Sequence, residues 1–296
     1  MPKTAVSGNL ALVCYDDIFN SSITPMNGES VDEIPLEELY PPEFHPFNVN
    51  DDQSMTRLSK NIKLYGVREP GLARPRAEGG YELIVGNRRK RACELANKLT
   101  MPIIIREMDD DNAVIAMVDS NLEQREKILH SEKAWAYRMK LEALNHNGIK
   151  GDILSVDILA EQTGESKTQI FRIVRLTELI ITLLDKVDSK QLAFNPAVEL
   201  SYLSQKEQAA VAAAMEEYAV KPSLSQTVRL KQIKKDGTLT VDTINKVLAE
   251  AKKPPKGEQN STLRFRKYFP PEYSQKQMEE VITTLLTEWK NNKALR

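Results

Sequence analysis

Apolar residues recur every three or four positions through the segment QSMTRLSKNIKLYG, at Met55, Leu58, Ile62 and Tyr65. That is the spacing of one helix face, and Gly66 is placed to stop the helix. The period then shortens. GLARP and YELIVG are rich in β-formers and read as two strands, and RRKRACELANKL returns to helical spacing with Ala92, Leu95 and Ala96 on one face. MPIIIREM is a further strand, and a helix is expected over 110–121. The order helix, strand, strand, helix, strand predicts a small α/β unit, preceded by the proline-punctuated IPLEELYPPEFHPF at 34–47, which reads as an extended arm. From Ser131 onward the period is helical throughout, beginning with Ala134, Tyr137, Leu141 and Leu144. KKPPKGEQN at 252–260 reads as a linker. A last amphipathic helix carries Met278, Ile282, Leu285, Leu286 and Trp289 on one stripe. The predicted fold class is α+β, divided into an extension (1–33), an α/β domain (34–125), an all-helical domain (126–251) and a linker with a C-terminal helical tail (252–296).

Composition narrows the function classes. The 296 residues are 41% hydrophobic and 28% charged, as in an average water-soluble protein. No apolar run reaches the roughly 18 residues of a membrane helix, and the first residues lack a basic segment followed by an apolar one, so no membrane partner and a cytoplasmic location are expected. Two cysteines, Cys14 and Cys93, are too few for a disulfide scaffold and read as buried small hydrophobes. His45, His130 and His146 are too far apart for a histidine metal site. Forty-one Lys+Arg against forty-two Asp+Glu leave a formal charge of −1, which by itself does not indicate a nucleic-acid partner, although the chain is locally basic from Lys252 onward.

Two motifs carry candidate chemistry. VDILAEQTGESKTQIFRIVR at 156–175 has a small residue (Ala160), a turn glycine (Gly164) and seating residues (Ile170, Ile173) at the offsets of a helix-turn-helix. Its second helix would begin at Ser166 and turn Lys167, Thr168, Gln169, Arg172 and Arg175 outward. Gln can bond a base edge twice, and Arg and Lys neutralise phosphates. A helical hairpin with a solvated basic face fits the same pattern. GNRRKRA at 86–92 follows a strand and opens a helix. The helix N–H groups, the close approach permitted by Gly86, and Arg88, Arg89 and Arg91 together make an anion site, with a solvated basic turn as the alternative. There is no GK[ST] and no GxGxxG, so a phosphate site here is of another type.

Together these segments resemble the ParB/RepB family of bacterial partition proteins. NIKLYGVREPGLARP at 61–75 is similar to the family's glycine-proline box, GNRRKRA to its arginine box, and DSNLEQREKILHSEKAWAY at 119–137 to its Asn-Gln-Arg box, with a helix-turn-helix where the family has one. The resemblance covers roughly 34–205, and its variant looks most like homologues on plasmids and integrative elements of Gram-positive bacteria. It implies a ParB-like N-terminal domain, a homodimer, and a clamp on double-stranded DNA that binds a palindromic centromere-like site. The clamp closes with CTP and Mg²⁺, opens after hydrolysis, and works with a ParA-type ATPase on the nucleoid or plasmid. Carried over by residue, the resemblance has Gly66 and Pro70 lining the nucleotide, Gly86, Arg88 and Arg89 holding its phosphates, and Asn121 seating the metal. DNA contacts fall to Ser166, Lys167, Thr168, Gln169, Arg172 and Arg175.

The chain departs from the family in two places. Asn87 replaces an acidic residue after the glycine, and Ser120 replaces the glutamate before Asn121 that the family links with hydrolysis. Asp119 or Glu123 is a candidate stand-in, so CTPase activity is left open. Alternative readings are a helix-turn-helix regulator of a mobile element and, more remotely, a ParB-fold enzyme. A sulfiredoxin-like enzyme would need a cysteine where Asn87 stands, and a kinase-like one would need a base that no His or Asp pair marks. Trp135 and Tyr137 read as helix packing, AFNPAVELSYL at 193–203 as a loop turning at Asn195-Pro196 into a core helix, and Lys231, Lys234 and Lys235 as a solvated basic face.

Overall fold

The computed structural model describes residues 29–125, 127–146, 152–250, 268–270 and 272–293. Cys14, most of the 1–33 extension and the 252–260 linker lie outside the described residues. Residues up to Leu248 form one compact unit, and those from Ala249 belong to a second.

In the first unit a five-stranded mixed sheet is built from β1 (Val31–Pro35), β2 (Leu39–Tyr40), β3 (Gly71–Pro75), β4 (Tyr81–Val85) and β5 (Thr100–Ile105), in the order β1-β5-β3-β4-β2. β3 runs antiparallel to β4 and parallel to β5, with Leu72 opposite Ile104. Successive side chains alternate between the faces. Ala73, Leu83 and Ile103 point to a layer made by α1 (Gln53–Tyr65) and α2 (Asn87–Leu95), while Leu72, Ile84 and Ile104 point to one made by α3 (Asp110–Gln124). Both faces are therefore buried.

The segment 34–47, expected as an extended arm, supplies both edge strands. β1 pairs antiparallel with β5, Ile34 opposite Met101, and β2 pairs parallel with β4. Only Ile34 of β1 is buried and β2 has two residues, so neither carries enough alternation to register as a strand, and Pro35 is tolerated because it ends an edge. Helix α1 follows its expected pattern. Asp52 caps it by accepting from Met55 N (2.8 Å), Met55 and Ile62 are buried, and Gly66 stops it at φ 74°. Tyr65, expected on that face, is instead 66% exposed. In α2 the buried residues are Ala92 and Cys93, and Leu95 turns outward.

The helical part of this unit runs through α4 (His130–His146), α5 (Asp152–Thr163), α6 (Lys167–Val174), α7 (Ile181–Asp188), α8 (Phe194–Leu200), α9 (Gln205–Glu217), α10 (Leu224–Lys235) and α11 (Val241–Ala249). One continuous core joins Ala134 and Tyr137 of α4 to Leu248. Residues 193–203, expected as a loop turning at Asn195-Pro196 into a core helix, form that helix over Phe194–Leu200 with no turn before it. Ala193 is the N-cap and Pro196 lies in the first turn, where its missing N–H costs nothing. Tyr137 is fully buried and Trp135 packs edge-on against Phe44, 5.6 Å between centroids. In the second unit α12 (Gln275–Lys293) leaves Leu285, Leu286 and Trp289 exposed. No helix among the described residues is long and apolar enough to cross a membrane.

Candidate functional site

A cleft of about 730 Å³ opens where β4 passes through Gly86 into α2. Ligand pockets commonly span about 300–1,000 Å³. Gly86 has φ 116°, and a side chain there would meet Met101 Cε at 3.1 Å and the Gly71 backbone at 3.3 Å, so only glycine lets strand and helix join this way. No side chain caps α2, which leaves its first-turn N–H groups open to an anion. Five cations line the cleft (Arg57, Arg88, Arg89, Arg125, Lys127) against two acids (Asp52, Glu69), a formal excess of three.

The arginines are held from below. Arg89 Nη1 donates to the carbonyl oxygens of Glu69 (2.6 Å) and Pro70 (2.5 Å), and burial lowers its affinity for its proton without a carboxylate bonded to it. Arg88 donates to Ser54 Oγ. Arg125 lies over the Phe47 ring, donates to Asn48 O (3.2 Å) and faces the buried Glu132 at 3.6 Å, yet its Nε is buried without a hydrogen-bond partner. Ser120 Oγ, also lining the cleft, is likewise buried and unpartnered. Both unpartnered atoms belong to residues of the cleft wall, where a buried polar group without a partner is costly. Asn121 donates its Nδ2 to Met117 O (2.8 Å), which leaves its carbonyl oxygen as the atom suited to a hard cation. Among the described residues no cluster of three or more His, Cys, Asp or Glu is placed to hold a metal.

Of the residues expected to hold a nucleotide, Gly86, Arg88, Arg89 and Asn121 meet in this cleft. Gly66 and Pro70 are not among its lining residues. Pro70 acts one step back, through the carbonyl that Arg89 grips. Neither candidate stand-in acid lines the cleft. Asp119 bonds the buried Lys140, and Glu123 lines a different cavity. Asn87 donates to Leu83 O (3.2 Å). Arg57, Asn61, Arg125 and His45 also line the cleft, and no motif in the sequence marks them for it. Arg125 stood within the quoted DSNLEQR box and His45 within HPF, and only the tertiary fold brings them to α2.

His45 places Nδ1 2.8 Å from Phe47 O. Burial holds its pKa below the ordinary 6.5, with Arg125 adding to this while the Phe47 carbonyl and Glu132 oppose it. The unfolded chain therefore takes up a proton that the folded one resists, and His45's contribution to stability is complete above about pH 6.5 and shrinks as pH falls below it. Urea unfolding at about pH 7.5 and about pH 5.5 should show this slope, and His45→Asn, which keeps a donor near the Nδ1 position, should flatten it.

Cys93 is fully buried, and burial pushes its thiol up to about 11. With almost no thiolate at neutral pH, a Cys14→Ser variant should react with a thiol reagent only after unfolding. Fast labelling of the native variant would reopen the redox reading.

The second region is the helix pair α5 and α6. Gly164 turns between them at φ 68°, Ser166 Oγ accepts from Gln169 N (3.3 Å), and Ile170 and Ile173 are buried. Ser166, Lys167 and Thr168 are exposed, as is Phe171 at 53%. Lys167 pairs with Asp157. Arg172 is half-buried, bonds Asn195 Oδ1 (2.6 Å) and lies over Phe194. Arg175 was expected to point outward with them. It instead donates to Ser201 O (3.1 Å) and stacks on Tyr202, because the chain tightens into a 3₁₀ turn, Arg175–Glu178, and carries it round to α8. Lys231, expected on a solvated face, bonds Glu199 (2.8 Å) and covers the same Tyr202 ring, and Lys234 donates to Tyr202 O (2.7 Å).

Residues 20–122 match the family profile of the ParB N-terminal domain. Over 209 residues the chain is 32% identical to the nucleoid occlusion protein of Listeria monocytogenes serotype 4a (strain HCC23), covering 70% of this chain and 69% of that protein. Among solved structures it is similar to C-terminally truncated chromosome-partitioning protein ParB from Caulobacter crescentus. In complex with the centromeric parS site that protein gives a TM-score of 0.41 at 23% identity, covering 74% of this chain and 100% of the other. In complex with CTP-gamma-S it gives 0.31 at 25% identity, covering 62% and 97%.

Proposed function

Because the chain belongs to the ParB-type partition protein family, we propose that it is a sequence-specific DNA-binding protein whose grip on DNA is switched by CTP. One observation carries this reading: a cleft with five cations against two acids at an uncapped helix N-terminus, where Gly86, Arg88, Arg89 and Asn121 come together. Guanidinium forks and helix N–H groups suit a triphosphate. Arg88, Arg89 and the first turn of α2 bind the phosphates, and the Asn121 carbonyl oxygen contributes to a magnesium ion that the phosphates themselves bring. CTP supplies the phosphoanhydride whose occupancy or cleavage separates the two states of the switch. The cleft residues orient it, with Arg89 anchored on Glu69 and Pro70. With Ser120 in place of a carboxylate and Asp119 and Glu123 outside the cleft, the chain binds nucleotide and turns it over slowly.

On the DNA side, Ser166, Lys167, Thr168 and Gln169 present the first turn of α6 to base edges, and Arg172 flanks it toward phosphates. A homodimer on a palindromic site and a ParA-type ATPase partner complete the partition reading, and the exposed Leu285, Leu286 and Trp289 of α12 support self-association. A second reading has the protein act in nucleoid occlusion, which its similarity to the nucleoid occlusion protein of Listeria monocytogenes favours. Titration calorimetry of the full chain with CTP, ATP and GTP in magnesium, with and without DNA from its own genetic neighbourhood, tests the proposal. Selective CTP binding is expected. Binding of no nucleotide leaves a DNA-binding regulator.

A further inference from the structure

Lys140 stands in the middle of α4 with no exposed surface. Its Nζ donates to Asp119 Oδ1 on α3 and to Gln162 Oε1 on α5. These partners belong to different working parts. Asp119 directly precedes Ser120 and Asn121, which line the basic cleft. Gln162 lies two residues before Gly164, at the end of the first helix of the helix-turn-helix. Asp119, Glu123, Gln162 and Thr163 also border a separate cavity of about 1060 Å³. The end of α3 and the end of α5 thus meet beside open space, and a buried ammonium joins them there. Such a link is sensitive to position, since a buried charge has no solvent to replace a lost partner. Burial works against the charge on both Lys140 and Asp119, so each depends on the other, and Asp119 Oδ2 is itself buried without a partner.

We propose that Lys140 is a positioning residue that couples the cleft wall on α3 to the first helix of the helix-turn-helix, so that filling the cleft is felt at the DNA-binding element. The nucleotide part of this inference rests on the reading of the cleft given above, whereas the mechanical link does not. Nothing in the ligand need touch Lys140. A displacement of α3 at Ser120 and Asn121 moves Asp119, and Lys140 passes it to Gln162.

Hydrogen exchange of the full-length protein, read over residues 155–165, tests both parts. Asp119→Asn should speed exchange there about fivefold or more in the native background and add less than about twofold in Lys140→Met. CTP with magnesium should change exchange over 155–165 in the native protein and not in Lys140→Met, whose CTP affinity by calorimetry should stay within about threefold. An undiminished nucleotide effect in Lys140→Met, or an Asp119→Asn effect that simply adds to it, overturns the proposal. If calorimetry detects no CTP binding, the reading of the cleft fails, and the Asp119–Lys140 cycle still decides whether the link exists. If Lys140→Met does not fold, Gln162→Leu severs only the α5 side, keeps the ion pair, and should lose the same transmission.

Discussion

Replacing Arg89 by alanine is expected to weaken CTP binding about 30- to 150-fold, or about 2–3 kcal/mol, because a half-buried, pre-oriented guanidinium makes charge-assisted bonds to a phosphate that water replaces poorly. The side chain is pre-oriented by the Glu69 and Pro70 carbonyls, so little ordering is left for the ligand to impose. Its removal also frees those carbonyls at a partly exposed edge, where water can reach them, and the cost to stability is about 1 kcal/mol. Arg89→Lys should fall between, since one ammonium keeps the charge but cannot span both carbonyls and a phosphate. Calorimetry in magnesium, paired with urea unfolding, separates the two effects. Unchanged CTP affinity in Arg89→Ala would remove the start of α2 from the site.

Gln169→Ala is expected to cost about 1–3 kcal/mol of discrimination between the preferred DNA site and a mismatched one, and to leave binding to arbitrary DNA nearly intact. Gln169 sits in the first turn of α6, the part of a recognition helix nearest the base edges, and its backbone N–H already serves the Ser166 cap, so the substitution spares the helix. Arg172→Gln should instead weaken binding to all sequences and lower the salt slope by about one, the mark of a lost phosphate contact. Arg175→Ala is a poorer probe of DNA contact, because it also removes the bonds to Ser201 and the stack on Tyr202. Binding isotherms at several salt concentrations, on site and off-site DNA, distinguish these patterns. If Gln169→Ala and Arg172→Gln both left a defined complex unaltered, α6 would not be the recognition helix.

The long amphipathic stretches were legible because burial on one face writes its period into the chain. Helix α1 with its Gly66 stop, strands β3 and β4, and the helix-turn-helix with Ala160, Gly164, Ile170 and Ile173 are of this kind. The edge strands were not legible. β1 buries one side chain of five and β2 has only two residues, so their pairing is decided by a partner more than sixty residues away in the case of β1 and β5. Arg175 shows the same limit from the other side. Helical spacing alone carries it outward, but the 3₁₀ turn that follows is set by how Leu176 and Leu179 reach the core, and it swings the guanidinium onto Tyr202.

By itself the sequence determined the existence and type of the main elements, the helix-turn-helix pair, and the basic helix start at Gly86, from which Arg91 nevertheless turns away to Asp51 and Glu94, because each depends on neighbours within about one or two helical turns. Only the tertiary structure decided which distant groups share a cleft with them. Arg57 comes from α1, Arg125 from just beyond α3 and His45 from the segment before α1, and no local period relates them. The same holds for Lys140, whose charge suits solvent but whose ammonium is buried on α4 and meets Asp119 of α3 and Gln162 of α5. Local patterns record which face of an element is buried, and the chemistry of a site depends on what is buried against it.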